Sequence, residues 1–429
     1  MTNNEKFEKK LVNILNSSSN AKSWTDLLPI AKEILIHLKK NEKEIDFSKI
    51  STKHMLAKRL AQCLNPEFPN GVHEVIIDIY SCLLSNINSK QDTSLQDNLG
   101  LYLSGLFPFF SHASLPNKKK FLENIITKVL LTVRMDEIIL CFPGILASLI
   151  PGFDDNDEET KKLIFQSFED FINKFKEQNQ QQIFFGSFWT LLLRNQHLRS
   201  GGMKYLMKKV ILYENLIEKP KEEQQSLIEF YYPNINSTVI NAIGEIIHDK
   251  EKVVVKNGLD FITTRFPLIK ENTFITDEAK INLIIKVLNL LKTKEQSNDP
   301  IIRRINNWIK GLLGVGEDEI DFQSENMKYI MNLVTKAFLR IFNSDIIYSS
   351  EELSNNLIIL NNFFKNNPKF VDHVLSKISF SILQCIVNYW IIELNGSENV
   401  NQNEVISKSS EFFYKIIIMN YCGNPLLKN

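Results

Sequence analysis

The sequence predicts an all-α protein, an α-solenoid of HEAT- or armadillo-like helical pairs, with an irregular helical bundle as the alternative. Apolar residues recur at three- and four-residue intervals along most of the chain, which is the spacing of one helix face. Glycine (15) and proline (13) are scarce for 429 residues, and folds with many tight turns usually need more of both. Where they occur, they mostly bracket one or two apolar stripes, as expected of stacked helix pairs.

The first clear helix is predicted between Ser23 and Lys40. Ser23 with Asp26 three residues later resembles a capping box, and Pro29 lies near the helix start, where a missing N–H is best tolerated. The apolar face comprises Trp24, Leu27, Leu28, Ala31, Ile34, Leu35 and Leu38. This periodicity indicates an amphipathic helix with one buried side.

Three later stripes follow the same spacing. They comprise Val72, Val75, Ile76, Ile79 and Leu83; Leu163, Ile164, Phe168, Phe171, Ile172 and Phe175; and Met327, Ile330, Met331, Val334, Ala337, Phe338 and Ile341. Residues 236–266 have the layout of one HEAT-type unit, two helices around a turn at Asp249. For a helix over about 300–313, Asp299 is the predicted N-cap, Pro300 the first helical residue and Gly314 the left-handed stop.

The predicted breaks between helices are prolines and glycine pairs. They are Pro66, Pro116, Pro151–Gly152, Gly201–Gly202, Pro220, Pro233, Pro267, Pro300 and Pro368. Three polar stretches, 154–159, 314–323 and 395–404, are the best internal boundaries. We therefore expect one body over residues 1–314 and a helical continuation of unassigned role over 315–429.

Composition narrows the class of function. Lys+Arg and Asp+Glu are both 50, so the net charge is zero, and the basic excess of a nucleic-acid-binding protein is missing. The five cysteines are scattered and form no CxxC pair, which is typical of buried thiols in a reducing compartment.

The termini and the apolar runs bear on localisation. Residues 1–10 are polar and contain no apolar signal core. The most apolar run, 138–153, contains Pro143, Gly144 and Pro151 and is shorter than the roughly 20 residues of a spanning helix. We expect a protein that is cytosolic or peripheral to a membrane.

No catalytic, cofactor or metal site is predicted. His73-Glu74 begins like a zinc-protease HExxH motif, but the fifth position is Ile77, so His73 is interpreted as a partly exposed helix residue. Gly314-Val315-Gly316 lacks the third glycine of a dinucleotide site and a preceding strand. The sequence contains no P-loop lysine motif and no GxSxG, so we expect no enzyme.

An acidic loop resembles part of a calcium-binding loop. Asp155, Asp157 and Glu159 alternate, but Thr160 and Gln166 replace the glycine and the glutamate that such a loop needs. We interpret it as an acidic segment before a helix N-terminus, where the helix dipole favours negative charge.

Two basic clusters remain as candidate contacts with an anionic membrane surface, each lysine contributing about 1 kcal/mol there. They are Lys118, Lys119 and Lys120, expected to open a helix, and Lys204, Lys208 and Lys209. The alternative is a solvated face. Four tryptophans lie on apolar stripes and are expected in the core: Trp24, Trp189, Trp308 and Trp390.

Several segments, in the same order and spacing over about residues 5–314, carry a family resemblance. They are 57–66 (AKRLAQCLNP), 69–73 (PNGVH), 104–110 (SGLFPFF), 149–152 with its acidic tail, 188–206, 255–267 and 303–314. The chain resembles the N-terminal domain of the Dopey family of membrane-traffic proteins; beyond Gly314 little matches.

The resemblance implies a non-enzymatic scaffold, peripheral on Golgi and endosomal membranes, in traffic between late Golgi and early endosomes. It also implies a protein partner, a large scaffold related to Arf exchange factors. Family members are several times longer. The alternatives are a peripheral module that binds anionic lipid through its basic clusters, and a short paralogue with an unrelated adaptor role.

Overall fold

The computed structural model describes residues 3–19, 23–89, 95–177, 180–293, 299–311, 324–343 and 345–396. Within these ranges the regular secondary structure is helical, which confirms the all-α prediction. The chain divides into two compact units, Met1–Val210 with Glu229–Pro233, and Ile211–Ile228 with Asn234–Asn429. The boundary expected near residue 314 stays a prediction.

In the first unit most helices from the second to the eighth pack on one that follows two or three places later in the chain. The helices are α1 (Asn3–Ser19), α2 (Trp24–Asn41), α3 (Lys53–Cys63), α4 (Asn70–Ser89), α5 (Leu95–Leu106), α6 (Phe109–His112), α7 (Leu115–Phe121), α8 (Met135–Leu149), α9 (Glu158–Glu177), α10 (Gln182–Arg194) and α11 (Arg199–Lys209). α2 packs on α4, α3 on α5, α5 on α8 and α8 on α10. This stacking of alternate helices is solenoid-like.

The second unit repeats the arrangement. Its helices are α12 (Tyr213–Ile217), α13 (Lys221–Tyr231, whose last three residues belong to the first unit), α14 (Ile240–Ile247), α15 (Lys252–Arg265), α16 (Asp277–Leu288), α17 (Pro300–Ile309), α18 (Glu325–Ile341), α19 (Ser350–Asn366) and α20 (Val371–Gly396). α14 packs on α16, α15 on α17, α16 on α18 and α18 on α20. The helical pair expected over 236–266 is α14 and α15, which confirms that prediction.

Polar ties recur between helices about 40 residues apart in the chain, as in HEAT-like repeats. Asn86 Nδ2 donates to the Ile45 carbonyl over 41 residues, and Lys174 Nζ donates to the Leu131 carbonyl over 43. In the second unit Arg304 Nε donates to Asp260 Oδ1 over 44 residues. The spacing of these hydrogen bonds indicates a repeat of about 40 residues, although the repeats share no sequence consensus.

The helix ends follow the predicted caps with one correction. The Ser23 backbone N–H donates to Asp26 Oδ2 at 3.2 Å, and Asp299 Oδ1 accepts from the Ile301 N–H at 2.7 Å. α17 ends at Ile309, and the left-handed residue after it is Gly311, with φ +65°. Gly314, the predicted stop, lies outside the described residues.

The prediction that Gly201–Gly202 separates two helices is wrong, because both glycines are buried inside α11. A Cβ on Gly201 would lie 2.2 Å from the Ile150 carbonyl oxygen. The pair therefore brings α11 close to the 3₁₀ turn Ile150–Asp154 that follows α8.

The apolar run around Pro143 is also more regular than expected. α8 continues through Pro143, and with the following turn it forms a helical run of 20 residues, Met135–Asp154. The most apolar stretch of this run is 56% buried. A second run, Pro368–Ile392, has 33% of its window buried. Both are long and apolar enough to cross a bilayer, a property that buried core helices share.

Two of the four tryptophans are core residues, as predicted. Trp189 and Trp308 are fully buried, Trp390 is half-buried, contrary to expectation, and the side chain of Trp24 lies outside the described part. Of the cysteines, Cys385 is buried, whereas Cys63, Cys82 and Cys141 are half-buried free thiols; Cys422 lies outside the described residues.

Candidate functional site

The lysine cluster at 118–120 is part of an ion-pair ladder. It lies in the second turn of α7, which continues into a π-helical segment, Leu122–Thr127, so it does not open the helix as expected. Lys118 Nζ lies 2.7 Å from Asp155 Oδ2, and only 8% of its side chain is exposed. Lys119 pairs with Glu159.

The ladder continues on both sides of α7. Lys120 Nζ lies 2.8 Å from Asp78 Oδ2 and 3.2 Å from Glu74 Oε1, both on α4. Lys204 Nζ lies 2.7 Å from Asp154 Oδ1, and Lys209 pairs with a carboxylate of α9. The ladder therefore ties successive helices of the first unit.

The remaining predicted lysine, Lys208, is exposed, and its Nζ lies 4.7 Å from the centroid of the Phe165 ring. Five of the six lysines thus contact carboxylates within the chain. Contact of the two clusters with an anionic surface stays a prediction, and the internal pairing reduces the charge that a lipid headgroup would meet.

The acidic loop caps α9, as the sequence analysis expected. Asp157 Oδ2 accepts hydrogen bonds from the Thr160 N–H at 2.9 Å and from its hydroxyl at 2.6 Å. These hydrogen bonds lower the pKa of Asp157. Asp155 and Glu159 form ion pairs with Lys118 and Lys119. The acidic loop therefore both caps the N-terminus of α9 and contributes carboxylates to the ion-pair ladder. Among the described residues, no group of three or more His, Cys, Asp and Glu side chains could hold a metal ion.

A surface cleft of about 610 Å³ lies in the first unit, where the end of α3, the following loop, the end of α5 and α6 meet. Its walls are both apolar and polar, and they include Arg59, Gln62, Cys63, Phe68, Pro108 and His112. Close helix packing builds the floor: a Cβ on Gly105 would lie 2.5 Å from the Ala61 Cβ, so only glycine lets α5 approach α3 this closely.

Two histidines hold the loop that rims the cleft. His112 Nε2 lies 2.9 Å from the Leu64 carbonyl oxygen, and His73 Nε2 lies 2.9 Å from the Asn65 carbonyl oxygen. His73 is 3% exposed, and its ring lies edge-to-face with the Phe109 ring at 5.1 Å between the ring centroids. The predicted partial exposure of His73 is therefore wrong. Burial lowers the pKa of His73, which favours the neutral ring.

The cleft residues give no sign of an activated nucleophile. Burial raises the pKa of the Cys63 thiol, which keeps it protonated, whereas catalytic cysteines have lowered values. Arg59 Nη1 donates to Gln62 Oε1 at 2.9 Å. Apolar side chains, an arginine and amide groups together line the cleft, a mixture typical of binding pockets.

The sequence alone does not predict this cleft. Most of its walls come from residues 57–66 and 104–110, two segments that carry the family resemblance but lie some 40 residues apart in the chain. The signal was present in part, since both segments carry small residues and a proline, and 104–110 adds three phenylalanines. What the sequence could not show is that α3 and α5 pack side by side and bring the two segments together.

The packing of the helices and the sequence together identify the class and the family of the chain. Stacked helical pairs define a helical-repeat protein, and the family model described as "Dopey, N-terminal" matches residues 1–313. The chain therefore belongs to the Dopey family.

Three relatives show the extent of the likeness. The DOP1 homolog of Plasmodium falciparum is 26% identical over 65% of this chain and 7% of its own length. DOP1B of Mus musculus is 23% identical over 80% of this chain and 14% of its own length. DOP1 of Saccharomyces cerevisiae is 21% identical over 96% of this chain and 26% of its own length, so similarity extends beyond residue 314, further than expected.

The chain thus spans between 7% and 26% of the length of these relatives. The relatives are far longer proteins, and this chain is similar to one part of each.

Proposed function

We propose that the chain is a non-enzymatic scaffold in traffic between the late Golgi and early endosomes, where it is peripheral on the membranes. Membership of the Dopey family supports this role. In this proposal the chain acts by protein–protein binding on its helical repeats, and its partner is a large scaffold related to Arf exchange factors.

The observation that carries the proposal is the cleft of the first unit. Two segments of family-like sequence form most of it. Burial raises the pKa of its Cys63 thiol, and its His112 ring is bound to a backbone carbonyl, which favours binding over catalysis. Arg59 lines the cleft, whereas the neighbouring Lys58 is exposed and does not. The two residues provide a matched pair for charge reversal.

Proximity labelling in cells with the tagged full chain tests the proposal. We expect labelled Golgi and endosomal proteins, including an Arf-exchange-factor-like scaffold, from the unchanged chain and from Lys58→Glu. Arg59→Glu should lose the scaffold while the protein level stays the same. Recovery of no Golgi or endosomal protein, or equal loss with both variants, would contradict the proposal.

A further inference from the structure

The charge of the cleft in the first unit is one-sided. Among the described residues that line it, Arg59 is the one with a permanent charge, and none is an aspartate or a glutamate. Glu67 belongs to the loop after α3 but does not line the cleft, and Lys58 is exposed outside it. A negatively charged group bound in the cleft would therefore meet a guanidinium and no carboxylate of the walls.

Gln62 orients the hydrogen-bond donors beside Arg59. Arg59 Nη1 donates to Gln62 Oε1 at 2.9 Å. Because this bond uses the oxygen of the amide, the amide nitrogen with its two N–H donors faces away from the guanidinium. The guanidinium itself carries N–H donors in a planar fork and no acceptor. Positive charge and N–H donors side by side are what a carboxylate binds.

Other parts of the walls offer apolar contact. Leu27 of α2 and Phe68 of the loop after α3 are half-buried, and Pro108, just before α6, is exposed. Each side chain keeps surface that faces water in this structure. Removal of such surface from water favours the binding of a large apolar side chain.

Internal contacts preform the cleft. His112 Nε2 and His73 Nε2 each lie 2.9 Å from a carbonyl oxygen of the loop after α3, those of Leu64 and Asn65 respectively. The close approach of α5 to α3 at Gly105 fixes these two helices against each other. A site that is already ordered loses less conformational entropy when a ligand binds.

We propose that the cleft binds a peptide segment of the partner in which an aspartate or glutamate lies next to a large apolar residue. Arg59 and the amide N–H groups of Gln62 bind the carboxylate, and the apolar side chain covers Phe68 and Pro108. The proposal rests on the function proposed above, in that it takes the cleft for a site of protein binding. The cleft volume of about 610 Å³ suits a short segment, since ligand pockets measure about 300–1,000 Å³.

The walls favour a carboxylate over a phosphate group. A phosphorylated side chain carries a charge of about −1.5 to −2 at pH 7, and the described walls set one permanent positive charge against it. The single charge of a carboxylate matches that of Arg59, and its two oxygens match the planar fork of the guanidinium. An acidic peptide therefore fits better than a phosphorylated peptide or a phospholipid headgroup.

Peptide selection with the purified full chain tests the proposal. The probe is a phage-displayed library of random peptides about ten residues long. We expect the enriched peptides to share an acidic residue close to Phe, Trp, Leu or Met. In fluorescence anisotropy with a synthetic copy, replacement of Asp by Asn or of Glu by Gln should weaken binding about tenfold. No enriched peptide, or enriched peptides without an acidic residue, would overturn the proposal.

Three variants that each lower the net charge by one separate the cleft from its surroundings. Arg59→Gln removes the guanidinium, and Gln62→Glu gives Arg59 a carboxylate within the chain; each should weaken the acidic peptide about tenfold. Lys58→Gln changes the exposed neighbour and should keep the affinity within about twofold. Gln62 is exposed, so its variant should keep the fold, which circular dichroism checks. Equal weakening in all three variants, or unchanged binding in Arg59→Gln, would contradict the proposal.

The ligand class and the trafficking role can fail separately, because peptide binding is measured without membranes or the partner. Acidic peptides that bind through Arg59, without labelled Golgi or endosomal proteins in cells, would support this ligand class and refute the trafficking role. Labelling that depends on Arg59, without any acidic peptide selected, would do the reverse. Displacement of the selected peptides by phosphatidylserine vesicles would assign the cleft to lipid headgroups and contradict the proposal.

Discussion

The indole Nε1 of Trp308 donates a hydrogen bond of 2.9 Å to the backbone carbonyl of Phe266, 42 residues earlier in the chain. The first unit contains the same tie in the opposite direction, since Trp189 Nε1 donates to the Tyr231 carbonyl at 2.8 Å over 42 residues. In each case a buried tryptophan donates to a carbonyl near the end of another helix, where backbone carbonyls have no partner within the helix ladder.

Trp308→Phe should destabilise the second unit. The change removes the indole donor to the Phe266 carbonyl, a loss of about 1–3 kcal/mol for a buried hydrogen bond, and it also removes packing volume. Urea titration with hydrogen exchange of α15 and α17 measures the loss. Ile305→Val on the same helix is the packing control, expected to cost about 1 kcal/mol. A smaller effect from Trp308→Phe than from the control would show that the tie contributes little.

Lys118→Met should lower stability and should not act chiefly through lipid. The change leaves Asp155 without the partner that lies 2.7 Å away, and breaking a largely buried pair costs about 3 kcal/mol. The matched change at the more exposed Lys119 should have a small effect. Thermal unfolding and liposome sedimentation of both variants separate the two roles, and loss of liposome binding without any fall in melting temperature would favour the lipid role.

The first unit should lose stability as the pH falls from 7 to 5. Burial lowers the pKa of His73 below its ordinary value of 6.5, so the unfolded chain binds a proton that the folded chain resists. The neutral His73 ring therefore contributes fully to the free energy of unfolding above pH 6.5, and this contribution declines as the pH falls below 6.5. Protonation would also leave a proton on Nδ1, which is buried without a hydrogen-bond partner.

Two substitutions on α4, compared over the same pH range, separate the contribution of His73 from that of neighbouring groups. His73→Gln should flatten the dependence of unfolding free energy on pH, whereas Ile76→Val on the same helix should lower the curve without changing its slope. His112 is the neighbouring titratable ring, 6.4 Å away between centroids. An unchanged slope in His73→Gln would assign the effect to another group.

Two glycine substitutions should have opposite signs. Gly201→Ala forces a methyl group against the Ile150 carbonyl and should cost about 1–3 kcal/mol. Gly100→Ala is on α5 with no atom within 4 Å of the new Cβ and should stabilise the helix by up to about 1 kcal/mol. Melting temperatures of the two variants check the prediction, and a stable Gly201→Ala would mean that α11 can shift away from the turn.

The sequence predicts the helices well because each must bury a periodic face. The stripe from Met327 to Ile341 became α18 with those apolar residues buried, and the caps at Ser23 and Asp299 formed as expected. Such signals are local, since cap and stripe lie within a few residues of each other.

The errors arose where tertiary contact overrides a local rule. Gly201 lies inside α11, where a neighbouring carbonyl leaves no room for a side chain, and Pro143 is accommodated inside α8. His73 is buried because α6 closes over it. The cleft depends on the meeting of α3 and α5, which no single segment encodes.

The 40-residue reach of the polar ties has a consequence for how such a chain is made. When the packing partner of a helix lies about 40 residues downstream, the ribosome completes that partner within a few seconds, at about 5–20 residues per second. Each pair can thus complete its packing while the ribosome is still adding the next, and little apolar surface stays unpaired for long. A relative that is many times longer, built on the same spacing, could emerge and fold progressively from its N-terminus.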